Sequence, residues 1–230
     1  MLRHSVIWRL RDTTTPALQA EMLQGLAYLR MECPMVRWGD YGEDLFGGSR
    51  RFDEAPPFAA APVWHRGTNG PPANYDVALH LDFDDWAAYR RYSPHPAHQA
   101  ASVFNGTVSW DELTARVDWY FEGPPPTRRG HVKHVAMFVW ADGVSEEAKR
   151  RALGAASALG EAPSVEAVAI GYNVGQLVSD YDWIMDLQVP DRAAAERLLG
   201  SPEYARAMEA VAAATKYEWT ARLSHIMRGP

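Results

Sequence analysis

The stretch Tyr75-Asp76-Val77-Ala78-Leu79-His80-Leu81-Asp82-Phe83 comes round again as Tyr181-Asp182-Trp183-Ile184-Met185-Asp186-Leu187-Gln188-Val189. Each opens on Tyr-Asp and continues as a strand. In the first, Val77, Leu79, Leu81 and Phe83 alternate with Ala78, His80 and Asp82, so one face is apolar. The register holds further along the chain. Tyr75 to His98 and Tyr181 to Tyr204 are both 23 positions, and His98 to Asp118 and Tyr204 to Ser224 are both 20. Thr114-Ala115-Arg116 and Thr220-Ala221-Arg222 match inside that second interval. Upstream, His4-Ser5-Val6-Ile7-Trp8 is taken up again by His134-Val135-Ala136-Met137-Phe138-Val139-Trp140. The chain is two copies of one module of about 105 residues, the size of a small domain.

Each copy reads strand, helix, strand, strand, helix, strand. Thr15-Pro16 supplies an N-cap and a first-turn proline, and Leu18, Met22, Leu26 and Leu29 then recur on one helical face. The counterpart helix starts at Ser145 and runs to Leu159. A second helical region begins near Asp84, breaks at Ser93-Pro94-His95-Pro96 and continues to about Phe104; a last strand spans about Leu113 to Phe121. Such a βαββαβ unit carries its helices on one face of an antiparallel sheet and leaves the other bare, so two copies can cover each other. The turn-rich run Gly123 to Gly130 separates them, giving a first domain over 1–122, a linker over 123–130 and a second domain over 131–230. His4 to Tyr75 is 71 positions but His134 to Tyr181 only 47, so the first copy carries extra residues. They fall in a Gly/Pro/Ala-rich loop over 46–73, expected as a lid over a site.

The bulk numbers exclude several classes. With 47% hydrophobic and 23% charged residues, the chain reads as folded. Its apolar runs are too short to span a bilayer, and its N-terminus lacks signal-peptide features, so no membrane partner and a cytoplasmic location are expected. The single cysteine, Cys33, agrees with a reducing compartment. A net charge of −6 with scattered Lys and Arg argues against nucleic acid. A small-molecule substrate is the expected partner. Internal pairing satisfies the sheets and leaves a homodimer open.

The opening His-x-Val-x-Trp, the Tyr75 to Phe83 strand and above all Tyr92-Ser93-Pro94-His95-Pro96-Ala97-His98 resemble the stress-responsive A/B barrel (Dabb) domain. This family of the dimeric α+β barrel superfamily includes plant polyketide cyclases and hydroxynitrile lyases. The likeness covers nearly the whole chain, in tandem. It implies an α+β fold of tandem ferredoxin-like modules packed sheet to sheet as an intramolecular dimeric α+β barrel. It also implies that His98 is a general base, that Tyr92 is its acid or donor, that Asp118 orients His98 and that His4 lines the pocket. Leu26 and Val77 stand where the plant cyclases carry polar groups, and with Trp8 and His95 they are the expected substrate contacts.

The residues support that chemistry in their own right. A neutral imidazole exchanges protons near pH 7, and a carboxylate beside it fixes its tautomer. Arg116, Asp118 and Tyr120 share one strand face, and His4 shares its face with Val6, Trp8 and Leu10. A tyrosine next to such a base can donate to an enolate as charge develops. These parts suit a cyclase, dehydratase or isomerase without a cofactor, acting on an aromatic or polyketide-like molecule; a binding protein without turnover is the rival. His95 and His98 with Asp118 or His4 form a weaker metal-ligand pattern, and no metal is expected. Arg50, Arg51, His65 and Arg66 on the long loop could meet an anionic group, although a solvated loop explains them as well. In the second copy Tyr204 replaces His98 and Ser224 replaces Asp118 while the apolar pattern persists. The fold therefore does not need the polar set.

Overall fold

The computed structural model describes residues 1–47, 73–122, 128–174 and 181–228. Most of the loop expected as a lid, with Arg50, Arg51, His65 and Arg66, and the linker residues 123–127 lie outside the described residues. The first module comprises β1 (Leu2–Trp8), α1 (Pro16–Glu32), β2 (Trp38–Glu43), a two-residue β3 (Ala73–Asn74), β4 (Val77–Phe83), α2 (Trp86–Tyr92), α3 (Pro96–Val108) and β5 (Ala115–Tyr120). The second comprises β6 (Val132–Phe138), α4 (Glu146–Ala158), β7 (Ala167–Tyr172), β8 (Trp183–Val189), α5 (Arg192–Leu199), α6 (Pro202–Ala212) and β9 (Ala221–Ile226).

The helix starts are duplicated in their chemistry. Thr15 caps α1 by accepting from the Leu18 amide, and Ser145 caps α4 by accepting from Ala148. Asp85 and Asp191 do the same for α2 and α5. Each cap satisfies an amide that the helix leaves unpaired. The residue capping α3 is His95, whose ring accepts from the Ala97 amide.

The strands order as β2-β4-β1-β5 in one sheet and β7-β8-β6-β9 in the other, all antiparallel; β3 adds to β9 in parallel. Residues 73–74 of the first module thus complete the edge of the second module's sheet. The edges also meet by matched bonds. The Leu45 amide donates to the Ser224 carbonyl (2.6 Å) and the Val174 amide to the Asp118 carbonyl (2.8 Å). Asp44 and Asn173 accept from the Ser224 and Asp118 amides respectively. This equivalence is what an internal two-fold relation requires.

Alternation along each strand produces three cores. Leu2, Val6, Trp8, Leu79, Leu81 and Phe83 pack under α1 and α2 with Met22, Leu26 and Tyr92. Trp183, Met185 and Phe138 pack under α4 to α6, with Trp140 against Trp183. Between the sheets, Ile7, Ala78, Val117 and Trp119 meet Val135, Met137, Ile184 and Leu223. Burying both faces of each sheet is the dominant favourable term for the fold.

The layer between the sheets also holds charge. Arg3 grips Asp82 with two bonds of 2.7 and 2.8 Å and reaches across to Asp186 at 3.0 Å. Burial alone would weaken the Arg3 charge, but the bond to Asp82 and the fields of Asp82, Asp186 and Asp40 outweigh it and hold its pKa above the ordinary value. Lys133 lies 3.3 Å from Asp186 and 3.9 Å from Asp40. His80 bonds Ser5, which also accepts from the Trp119 indole, and stacks on His225.

Two glycines make room for this layer. A β-carbon on Gly42 would fall 2.6 Å from His225 Nδ1, and one on Gly171 would fall 2.3 Å from the Trp119 ring. These are equivalent crossings, with the edge-strand ring of one module lying over the glycine of the other. Gly171→Ala is expected to lower stability by about 1–3 kcal/mol, because a buried indole ring has little room to retreat. Urea unfolding of the variant checks this.

Candidate active site

The register of the first sheet builds the floor of a cavity. β1 lies between β4 and β5, with His4 directly opposite Asp118 on β5 and Leu81 on β4, and Val6 opposite Arg116 and Leu79. Period-two alternation puts His4, Val6, Trp8, Leu79 and Arg116 on the helix side of the sheet. α1 and α3 form the roof. The space between them is about 280 Å³ and is lined by His4, Val6, Trp8, Leu26, Leu79, Tyr92, His98, Asn105 and Arg116 among others. A wider groove of about 910 Å³ runs along α1, β2 and Arg228, and among the described residues no histidine lines it.

Within the smaller cavity His4 Nδ1 lies 2.5 Å from Asp118 Oδ1, with both residues buried. A carboxylate accepting from Nδ1–H leaves Nε2 as the basic nitrogen. Tyr89 packs against the His4 ring, 5.1 Å between centroids. Tyr92 sits 6.4 Å from His4 and 4.4 Å from His98, centroid to centroid. Burial first, then the nearby Cys33 and Tyr89, push the Tyr92 phenol well above its usual pKa, so it stays protonated. His98 Nδ1 donates to the Ser93 carbonyl at 2.7 Å. Burial, countered by that bond and assisted by the charges of His4 and Arg116, lowers the His98 pKa and favours its neutral form.

Of the expected residues, His4, Trp8, Leu26, Tyr92 and His98 meet at the cavity. Three placements correct the sequence reading. Asp118 is paired with His4 rather than His98, because the antiparallel register of β1 and β5 sets those two face to face, while His98 is held from its own chain by Ser93. Val77 is buried in the core at the start of β4 and does not line the cavity. His95 caps α3, lies 3.3 Å from Cys33 Sγ and is also absent from the lining. Sequence reasoning missed Asn105 as a lining residue and left Arg116 without a role. The signal for Asn105 was available: His98, Ser102 and Asn105 follow helical spacing, and the shared register sets them against Tyr204, Met208 and Val211.

The second module shows the same frame with apolar side chains where the first carries polar ones. His134 Nδ1 bonds Ser224 Oγ at 2.8 Å and Nε2 bonds Tyr204 OH at 2.9 Å, so both ring nitrogens are occupied. Met208 and Val211 fill the core where Ser102 and Asn105 stand in the first copy. Burial, with a smaller contribution from Arg222, pushes the His134 pKa down to about 3. Burial likewise lowers His80 well below its usual value, with Lys133, His225 and Arg3 adding to it, and lowers His225 against the pull of Asp40.

These shifts have a defined sign. An unfolded chain takes up protons on its histidines near pH 6.5, whereas the folded chain resists them to lower pH. The stabilisation is therefore present above about pH 6.5 and is lost as pH falls toward the folded values. Stability is expected to drop between pH 6.5 and 5 by up to about 1.4 kcal/mol per pH unit for each such histidine. Urea titrations across that range should show it, and a flat profile would count against three neutral buried rings.

A scan of protein-family models finds no match, and a search of curated proteins finds none either. Solved structures do match over the full length. An anthrone oxidase-like protein is similar with 12% identity and a TM-score of 0.61, covering 100% of this chain and 92% of that one. A "putative monooxygenase" from Lactobacillus acidophilus NCFM is similar with 10% identity and a TM-score of 0.52, covering 99% and 93%. The fold is ferredoxin-like, in tandem. At such identities the likeness extends to the fold alone. Among the described residues, no helix is long and apolar enough to cross a membrane.

Proposed function

We propose that the first module is an acid-base enzyme of the cyclase, dehydratase or isomerase type, working without a cofactor on a small aromatic or polyketide-like molecule. One observation carries this reading. His4, bonded to Asp118, lines a cavity, whereas His134, at the equivalent position, is occupied on both nitrogens among core residues. The resemblance to Dabb cyclases supports the same chemistry, with the base moved from His98 to His4.

In this mechanism His4 Nε2 takes a proton from a carbon beside a carbonyl, and the electron pair moves onto the carbonyl oxygen. Asp118 stabilises the imidazolium. Tyr92 donates a hydrogen bond to the enolate oxygen, and the separation of its ring from His4 lets both touch one carbonyl fragment. The enolate carbon can then attack a second carbonyl, and the resulting alkoxide takes the proton back from His4. His98, neutral with Nε2 as acceptor, orients a substrate hydroxyl. A cavity of about 150 Å³ holds one benzene ring, so the space of about 280 Å³ suits one or two rings.

Proton exchange tests this without knowledge of the natural substrate. In D2O, 2-tetralone is expected to exchange its α-protons faster with the protein than in buffer, followed by proton NMR, and the gain should vanish in His4→Gln. Binding of 2-tetralone with no exchange above buffer would instead favour the binding protein.

A further inference from the structure

α3 roofs the cavity along the length of β1, and its two ends meet different chemistry. His98, at the start of α3, stands with Tyr92 at the end that carries His4. At the other end the Arg11 amide donates to the Val108 carbonyl and Leu10 bridges Ser109, which ties the close of α3 to the residues just after Trp8. Asn105 belongs to this second end. It follows His98 by two helical turns, so both line the cavity, and it lies about 10 Å farther along the helix axis.

Asn105 is 7% exposed. The Ser109 amide and hydroxyl both donate to its backbone carbonyl, but its carboxamide makes no hydrogen bond among the described residues. A nearly buried amide is normally satisfied, so an atom of water or ligand belongs against it. The second module shows that the fold does not ask for this group. At the same register position α6 carries Val211, fully buried among core residues. An arginine, by contrast, is kept at the matching place on β5 and β9 as Arg116 and Arg222, and so does not set the first cavity apart.

We propose that Asn105 is a specificity-determining residue that hydrogen-bonds a hydroxyl at the far end of the substrate. The substrate class is then a two-ring ketone with a hydroxyl on the ring remote from its carbonyl. The ketone end rests on the acid-base function proposed for His4 and Tyr92; the hydroxyl end is independent of it. A carboxamide offers a donor and an acceptor, and a hydroxyl can accept from Nδ2 or donate to Oδ1, so it is matched whichever way the amide turns. The rings between the two ends would lie against Val6, Trp8 and Leu26. A molecule of the same shape without the hydroxyl leaves the amide unpaired, or displaces a water whose bonds it cannot reproduce.

Calorimetric titration with 6-hydroxy-2-tetralone and 6-fluoro-2-tetralone tests the preference at nearly constant size. Wild type is expected to bind the hydroxy ketone about tenfold more tightly, the effect of one buried hydrogen bond with no unpaired amide left behind. Asn105→Val, which installs the second module's side chain, should abolish that ratio by weakening the hydroxy ketone alone. Asn105→Leu, closer to the amide in shape, should do the same and serves if the valine variant does not fold. His4→Gln should keep the ratio while losing α-proton exchange, which separates recognition of the hydroxyl from proton transfer. Equal affinities in wild type, no binding of the hydroxy ketone at millimolar concentration, or a ratio unchanged in a folded Asn105 variant would each overturn the proposal. Exchange of 2-tetralone, which has no hydroxyl, tests the acid-base reading separately, so either idea can fail alone.

Discussion

Asp118→Asn is expected to lower protein-dependent α-proton exchange by about 10²- to 10⁴-fold, the range typical of losing a positioned general base. The change keeps the size of the side chain and removes its charge. An amide facing His4 Nδ1 can present its NH2, which turns the imidazole to the tautomer with its proton on Nε2, where the basic lone pair is needed. It also withdraws the anion that stabilises the imidazolium. Because Asp118 meets His4 at 2.5 Å with both buried, no solvent group is at hand to substitute. His98→Ala should cost less than His4→Gln, since His98 is tethered to the Ser93 carbonyl rather than to a carboxylate. NMR exchange rates on folded variants, with folding checked by circular dichroism, decide the order.

The largest expected effect on stability comes from Arg3→Met, a loss of about 3–5 kcal/mol. The guanidinium compensates Asp82 and part of Asp186 in a layer buried from bulk solvent. Removing it leaves Asp82 as an uncompensated buried charge. Adding Asp82→Leu to Arg3→Met should recover a good part of the loss, because Asp186 keeps Lys133 at 3.3 Å and no orphaned carboxylate remains on β4. Urea unfolding of the single and double variants measures the recovery; a double variant as unstable as the sum of its parts would contradict this account of the layer.

Much of the fold was legible before any coordinates, for a physical reason. Strands with two buried faces and helices with capped starts leave local patterns, and here each pattern occurs twice in fixed register. Thr15 caps its helix as read, and the counterpart helix starts after Ser145, which caps it. What the spacing could not reveal was which strands lie side by side. The resemblance implies that Asp118, 20 residues on, orients His98, but the register of β1 with β5 puts Asp118 opposite His4, 114 residues away. Pairing across a sheet is a tertiary property, invisible to periodicity. Val77 is drawn into the core, and His95 is used by the cap of its own helix. Asn105 carries no ionisable group, and only its contrast with Val211, the apolar residue at the same register position of the second copy, sets its helix face apart.

That departure underlies the proposed function: one frame is used twice, and the proposed chemistry belongs to the first copy. Its most direct test is a paired measurement of α-proton exchange with 2-tetralone in His4→Gln and His134→Gln proteins. Exchange is predicted to fall to the buffer rate in the first and to persist near wild type in the second. Equal loss in both, or loss confined to His134→Gln, would contradict the assignment of the active site to the first module.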